Sequence, residues 1–115
     1  MSTVAVVLLV LVGLLHLYFL VLEMFLWTRP LGLKTFRNTP EKAEITRVLA
    51  ANQGLYNGFL AAGLFYAAVT GSREFAVFFL ACVAVAGAYG AWSVNKRIFF
   101  VQALPAIIGL LALFL

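Results

Sequence analysis

Two ionisable residues, His16 and Glu23, lie inside the first long apolar segment of the chain, residues 4–27. Seven residues are nearly two turns of an α-helix, so the two side chains share one face and lie roughly 10 Å apart along the axis. Histidine and glutamate are residue types that act as general acids and bases. At this distance they cannot bond to each other, so we expect their partners to come from other helices.

Burial in an apolar environment is costly for both groups. An ionisable side chain near the centre of a bilayer costs about 3 kcal/mol even on lenient insertion scales, so each should face protein or trapped water. Two structural alternatives stay open. His16 would be a neutral imidazole bonded to a neighbour, and Glu23 would pair with a cation near the membrane surface, Arg29, Lys96 or Arg97.

A second group of polar residues interrupts the later apolar segments. Four of them form a polar stripe on one helix, because they are spaced by four or by one, and two more lie about one turn from the ends of the next two helices. These six are the candidate ligand-binding residues: Asn52, Gln53, Tyr56, Asn57, Tyr89 and Gln102. The alternative is that they only join helices, with hydrogen bonds worth about 0.6 kcal/mol each.

The composition indicates which elements carry these residues. Of 115 residues, 65% are hydrophobic and 10% are charged, and the mean hydropathy is +1.09. Such a chain is typical of membrane proteins. We predict an all-α membrane protein with one domain, residues 1–115, and four transmembrane helices over about residues 4–27, 48–69, 75–93 and 98–115.

Local signals refine these boundaries. Residues 28–39 are expected to be a loop, since Pro30 and Gly32 interrupt them. Thr39 followed by Pro40 predicts that the second helix begins near residue 40, outside the hydrocarbon region. Gly71 is expected to end that helix. Pro105 is expected to free a backbone carbonyl and to kink the fourth helix.

The cations predict the orientation of the chain in the membrane. The first and third loops and the start of the second helix hold seven of the eight, and only Arg73 lies on the opposite side. By the positive-inside rule the basic loops are cytoplasmic and both termini are outside. The cations lie in short loops beside apolar segments, so we expect membrane lipid as a partner and no nucleic acid.

No cofactor can be named from the sequence. One histidine and one cysteine, Cys82, cannot supply a closed zinc site, so we predict no metal site. Neither a phosphate-binding glycine loop nor a serine nucleophile motif is present.

Four stretches resemble the small membrane proteins called domain-of-unknown-function 1304. They are residues 16–27, with His16 and Glu23; residues 52–63, which begin with Asn52 and Gln53; residues 88–90; and residues 102–106, with Pro105. The resemblance implies a four-helix membrane protein and brings no established chemistry.

Three functions compete at this stage. The first is a polar pocket in the cytoplasmic half of the bilayer that binds or transforms a small polar or amphipathic molecule, with His16 and Glu23 as its acid–base candidates. The second is proton-coupled transport through Glu23. The third is a structural or assembly subunit. A homo-oligomer is expected in each case, since four short helices enclose little volume and their small-residue faces can pair between copies.

Overall fold

The computed structural model describes all 115 residues, and every regular element in it is helical. This confirms the predicted all-α fold. The helices are α1 (Thr3–Met24), α2 (Pro30–Phe36), α3 (Pro40–Thr70), α4 (Arg73–Ser93) and α5 (Leu104–Leu113), and a π-helical segment, Phe99–Ala103, runs directly into α5. Helices α1 and α4 are long and apolar enough to cross a membrane, while the apolar stretch Phe99–Leu113 is shorter.

Helix α2 corrects the prediction of a loop over residues 28–39. Pro30 occupies the first turn, where its fixed φ favours a helix and its missing N–H is not needed. Gly32 does not interrupt this helix; it is the residue that lets α2 pack. An ideal Cβ on Gly32 would lie 1.9 Å from the carbonyl oxygen of Leu26. Only glycine permits this approach.

The boundaries of α3 follow the predicted signals. The hydroxyl of Thr39 accepts a hydrogen bond from the backbone N–H of Lys42 at 3.3 Å, which confirms the helix start. Gly71 has a φ of 69°, and the N–H of Ser72 bonds to the carbonyl of Ala67 at 3.1 Å. This is the Schellman arrangement that ends a helix. Ser72 then caps α4, which therefore begins two residues before the predicted span.

A widened, π-helical turn directly precedes the helix that holds Pro105. The N–H of Leu104 bonds to the carbonyl of Phe99, five residues earlier. Pro105 has no N–H to donate, so one backbone hydrogen bond of the helix is missing at this position. In the π-helical turn before it, the N–H groups bond to carbonyls five residues earlier instead of four. The turn also comes close to α4, because an ideal Cβ on Gly87 would lie 2.5 Å from the backbone nitrogen of Ala103.

Contacts divide the chain into two units. The first unit consists of Met1–Leu14 and Leu60–Leu115. Its core is aliphatic and rich in alanine: Ala5, Leu9, Val12, Leu64, Ala67, Ala76, Leu80, Val83, Ala106, Ala112 and Leu113. Small residues at the contacts allow the helices of this core to approach closely.

The second unit is Leu15–Phe59. In it Gly54 and Gly58 let α3 pack against α1. An ideal Cβ on Gly54 would lie 2.6 Å from the side chain of Met24. An ideal Cβ on Gly58 would lie 2.7 Å from the side chain of Leu20. The glycine pair is thus a packing surface between α1 and α3. The candidate site lies in this unit.

Arg37, which ends α2, adopts the left-handed conformation with φ 52° and ψ 46°. This conformation costs a non-glycine residue about 1 kcal/mol. We expect Arg37→Gly to raise the free energy of unfolding by about 0.5–1 kcal/mol, measured by denaturant titration in detergent micelles. Lys34→Gly, inside the same helix, is the matched control and should lower it by about 1 kcal/mol. A lower free energy of unfolding in Arg37→Gly would contradict the inference that the Arg37 backbone is strained.

Candidate functional site

Two of the predicted site residues, Glu23 and Gln53, line a single cleft in the unit Leu15–Phe59. The cleft has a volume of about 350 Å³. Its other lining residues come from the turn after α1, from the link between α2 and α3, and from one face of α3: Trp27, Asn38, Lys42, Ile45, Thr46, Leu49 and Ala50. This volume lies in the range of small-molecule sites, which are mostly apolar with a few polar groups.

Glu23, in the last turn of α1, is partly buried. The side-chain amide of Asn57 on α3 donates a hydrogen bond to Glu23 Oε1 at 2.5 Å. The expectation that Glu23 finds its partner on another helix is therefore confirmed. The partner is an amide rather than a cation, since the one ion pair of the protein joins the exposed Arg47 and Glu44 at 3.3 Å.

A glycine on α3 makes room for Glu23 and its helix. An ideal Cβ on Gly54 would lie 3.1 Å from the Cβ of Glu23 and 3.2 Å from the carbonyl oxygen of Leu20. Contacts of this kind are tighter than ordinary van der Waals packing. Gly54 thus allows the end of α1 to lie directly against α3, one turn from Asn57.

Trp27 forms another wall of the cleft and is held on two sides. Its indole Nε1 donates a hydrogen bond to the hydroxyl of Thr46 at 3.1 Å, and its ring lies 4.9 Å from that of Phe36. The Thr46 hydroxyl in turn donates to the carbonyl of Lys42 at 2.7 Å. These contacts join the turn after α1 to α2 and to the first turns of α3.

The sequence reasoning missed Lys42, Thr46 and Leu49 as lining residues. Steps of three or four residues back from Gln53 lead to each of them along one face of a helix. That spacing was the available signal, but the apolar residues of this face gave no reason to prefer it over the neighbouring faces.

His16 lies in the same unit but is not among the residues that line the cleft. Its side chain is 0% exposed, and its ring packs edge-on against Phe19 with 5.3 Å between the ring centres. No buried side-chain nitrogen or oxygen of the protein lacks a hydrogen-bond partner. A buried and satisfied imidazole of this kind favours the structural alternative for His16.

The other polar candidates lie elsewhere. Asn52 is exposed, and its amide donates to the carbonyl of Val48 on its own helix at 2.8 Å. Tyr56 is 60% exposed, and its ring lies 6.1 Å from Phe59. In this unit the structure thus brings together Glu23, Gln53 and Asn57, and it places neither Asn52 nor Tyr56 beside them.

Tyr89 and Gln102 belong to the first unit. Tyr89 is 66% exposed, and its ring lies 5.9 Å from that of Trp92. Gln102 is partly buried in the π-helical segment and has an interaction partner. Their contribution to a ligand site stays a prediction.

The cleft combines three kinds of chemistry. Glu23 and Gln53 supply hydrogen-bonding groups at one end, Lys42 and Asn38 supply a cation and an amide at the other, and aliphatic side chains lie between. No group of three or more His, Cys, Asp or Glu side chains lies close enough together to hold a metal ion. The arrangement is suited to binding an organic molecule by hydrogen bonds and apolar contact.

Comparison with known proteins identifies the family of this chain. The family described as "Protein of unknown function (DUF1304)" matches residues 10–114. The uncharacterized protein YpaA of Lactococcus lactis subsp. lactis (strain IL1403) is 30% identical over 118 residues, with 99% of each chain covered. No solved structure matches. The match covers nearly the whole chain and confirms the resemblance carried by the stretches around His16, Asn52 and Gln102: the chain belongs to the DUF1304 family.

Proposed function

We propose that the chain is an integral membrane protein that crosses the bilayer four times, with both termini outside and its basic loops in the cytoplasm. The support is strongest for α1 and α4, which are long and apolar enough to cross a membrane. Helix α3 has 31 residues and, at about 1.5 Å per residue, exceeds the hydrocarbon thickness. Asn52, Gln53 and Asn57 lower its mean hydropathy. The shorter Phe99–Leu113 would cross where the bilayer thins locally.

The exposed surface of α1 and α4 supports the same placement. On α1 the side chains of Val4, Val7 and Leu11 are exposed at helical spacing, and on α4 those of Phe78 and Val85 are exposed. Continuous apolar faces of this kind are unfavourable in water. Lipid chains would cover them at no such cost, and so would a second copy of the chain.

Within this placement, we propose that the cleft of unit Leu15–Phe59 binds a small amphipathic molecule that enters from the cytoplasm or the inner leaflet. The observation that carries the proposal is the position of Glu23 and Gln53 at one end of an otherwise apolar wall, with Lys42 at the opposite end. Gln53 follows Lys42 by eleven positions on the helix, roughly 16 Å along the axis. A ligand with polar groups at both ends and an apolar body fits this pattern.

Glu23 has the central role in this proposal. A carboxyl carries two acceptor oxygens, and the amide of Asn57 engages Oε1. The ligand would place a hydrogen-bond donor on this carboxyl and an acceptor or anionic group near Lys42. If the ligand is also transformed, Glu23 is the acid–base candidate that lines the cleft.

The test is native mass spectrometry of the full-length protein extracted gently with its lipids. We expect the wild type to retain a small molecule. Glu23→Gln should reduce its occupancy by about tenfold or more, since hydrogen bonds to charged groups contribute about 1.5–3 kcal/mol. Gln53→Ala should reduce it by about fivefold, since a hydrogen bond to a neutral amide contributes about 1 kcal/mol. The mass of the protein also reports the expected homo-oligomer.

Asn52→Ala is the matched control. It removes an amide from the residue next to Gln53, but this amide is bonded to the carbonyl of Val48 and does not line the cleft. Asn52→Ala should therefore retain the molecule. An empty wild type, or equal retention in the Glu23 and Gln53 variants, would contradict the proposed site.

A further inference from the structure

We propose that α2 and its flanking residues form a binding surface for the anionic phospholipids of the cytoplasmic leaflet. The surface consists of Arg29, Leu31, Lys34, Phe36 and Arg37, and we call it the α2 surface. The inference rests on the membrane placement proposed above and goes beyond it, because it assigns a ligand class to a part of the chain that the cleft does not use.

The position of the α2 surface is fixed by packing rather than by a flexible loop. Gly32 lies against the backbone of Leu26, where no larger residue would fit. Phe36 packs on the indole of Trp27 with 4.9 Å between ring centres. Because Trp27 is bonded to Thr46 on α3, the short helix is held against the ends of two longer ones.

The charge of the surface has one sign. Arg29, Lys34 and Arg37 are all exposed, and no carboxylate occurs between residues 24 and 40. The acids that border this stretch are Glu23, which accepts a hydrogen bond from Asn57, and Glu41. Glu44 on α3 is paired with Arg47. Three cations without an acidic partner are complementary to a layer of anionic headgroups.

Apolar side chains lie among these cations. Leu31 is 48% exposed and Phe36 is 38% exposed. A helix of 7 residues is too short to cross a bilayer. Exposed apolar and basic side chains on one short helix are typical of segments that lie in the membrane interface, where apolar groups enter the acyl boundary and cations reach phosphates.

The backbone of Arg37 supports the same inference. It occupies the left-handed position that ends α2, where glycine is the usual residue. The chain carries a guanidinium at this position despite the strain. A strained residue held by its surroundings points to a use for its side chain, and the complementary partner for this side chain is a lipid phosphate.

The experiment uses the fluorescence of Trp27 in a Trp92→Phe background, which leaves a single tryptophan. The full-length protein is reconstituted in bilayers of phosphatidylcholine and phosphatidylglycerol, with bromine on the acyl chains of one lipid or the other. We expect brominated phosphatidylglycerol to quench Trp27 as if enriched about threefold or more over its bulk fraction. Arg29→Gln, Lys34→Gln and Arg37→Gln together should return this ratio to about one.

Arg73→Gln is the control for loss of a cation elsewhere, because Arg73 lies in the other unit and its guanidinium packs over the ring of Phe114. It should leave the enrichment unchanged. Equal quenching by the two brominated lipids in the wild type would overturn the α2 surface alone. Quenching by neither lipid would overturn the membrane placement as well. The triple variant should still retain the cleft molecule in native mass spectrometry, so loss of the α2 surface and loss of the cleft are distinguishable.

Discussion

Asn57→Leu is expected to lower the free energy of unfolding by about 1–3 kcal/mol, because it leaves the partly buried carboxyl of Glu23 without its hydrogen-bond donor. Leucine has the same number and branching of side-chain heavy atoms as asparagine and leaves no cavity, so the loss reports the unpaired carboxyl. The measurement is unfolding in mixed detergent micelles, followed by circular dichroism.

A double-mutant cycle separates this hydrogen bond from other effects of the substitution. Replacing both partners, Glu23→Leu with Asn57→Leu, should recover most of the lost stability, because two apolar side chains leave no polar group unpaired. Glu23→Gln should be close to neutral for stability, since its carbonyl oxygen can still accept from Asn57. Additive losses in the double variant would show that the two residues are not coupled.

Gly87→Val is expected to destabilise the first unit by about 1–3 kcal/mol, the usual cost of overpacking a close contact. A Cβ at this position would lie 2.5 Å from the backbone nitrogen of Ala103 and 2.8 Å from its Cβ. Backbone atoms cannot move aside as a flexible side chain can, so α4 and the π-helical segment would have to separate. Thermal or detergent unfolding measures this loss.

Ala88→Val is the matched control for Gly87→Val, because it introduces the same β-branched side chain at the exposed neighbouring residue. Its effect should stay within about 0.5 kcal/mol plus the small helix-propensity cost of valine. Similar losses in both variants would mean that propensity, and not the contact with Ala103, governs stability here.

Much of the secondary structure could be predicted because its causes are local. Thr39 and Pro40 start α3 and Gly71 ends it, since a capping hydroxyl, a proline ring and a positive φ act on the nearest backbone groups. The short α2 could not be predicted in the same way. Its stability depends on the contact of Gly32 with Leu26, which becomes visible only when the chain turns back on itself.

Only part of the candidate site could be predicted, because helical spacing is local and the contacts between helices are not. Helical spacing indicated that His16 and Glu23 share one face, but it could not say that the first is satisfied in a buried position while the second reaches a cleft. It also gave no preference between Asn52 and Asn57 as the partner of Glu23. Asn52 lies on the exposed side of α3, whereas Asn57 faces α1. Which of the two faces α1 depends on the rotation of α3 about its axis.

The sequence by itself determined that the chain is helical, where α3 begins and ends, and that its cations cluster beside apolar segments, because these properties depend on neighbours along the chain. Only the tertiary structure decided which side chains meet. The hydrogen bond from Asn57 to Glu23, the bond from Trp27 to Thr46 and the cleft between Lys42 and Gln53 each join residues of different segments. Gly54 lets the end of α1 approach α3, and Gly32 lets α2 approach the turn after α1. The physical reason is that helical periodicity defines the faces of a helix, whereas packing selects which face meets which.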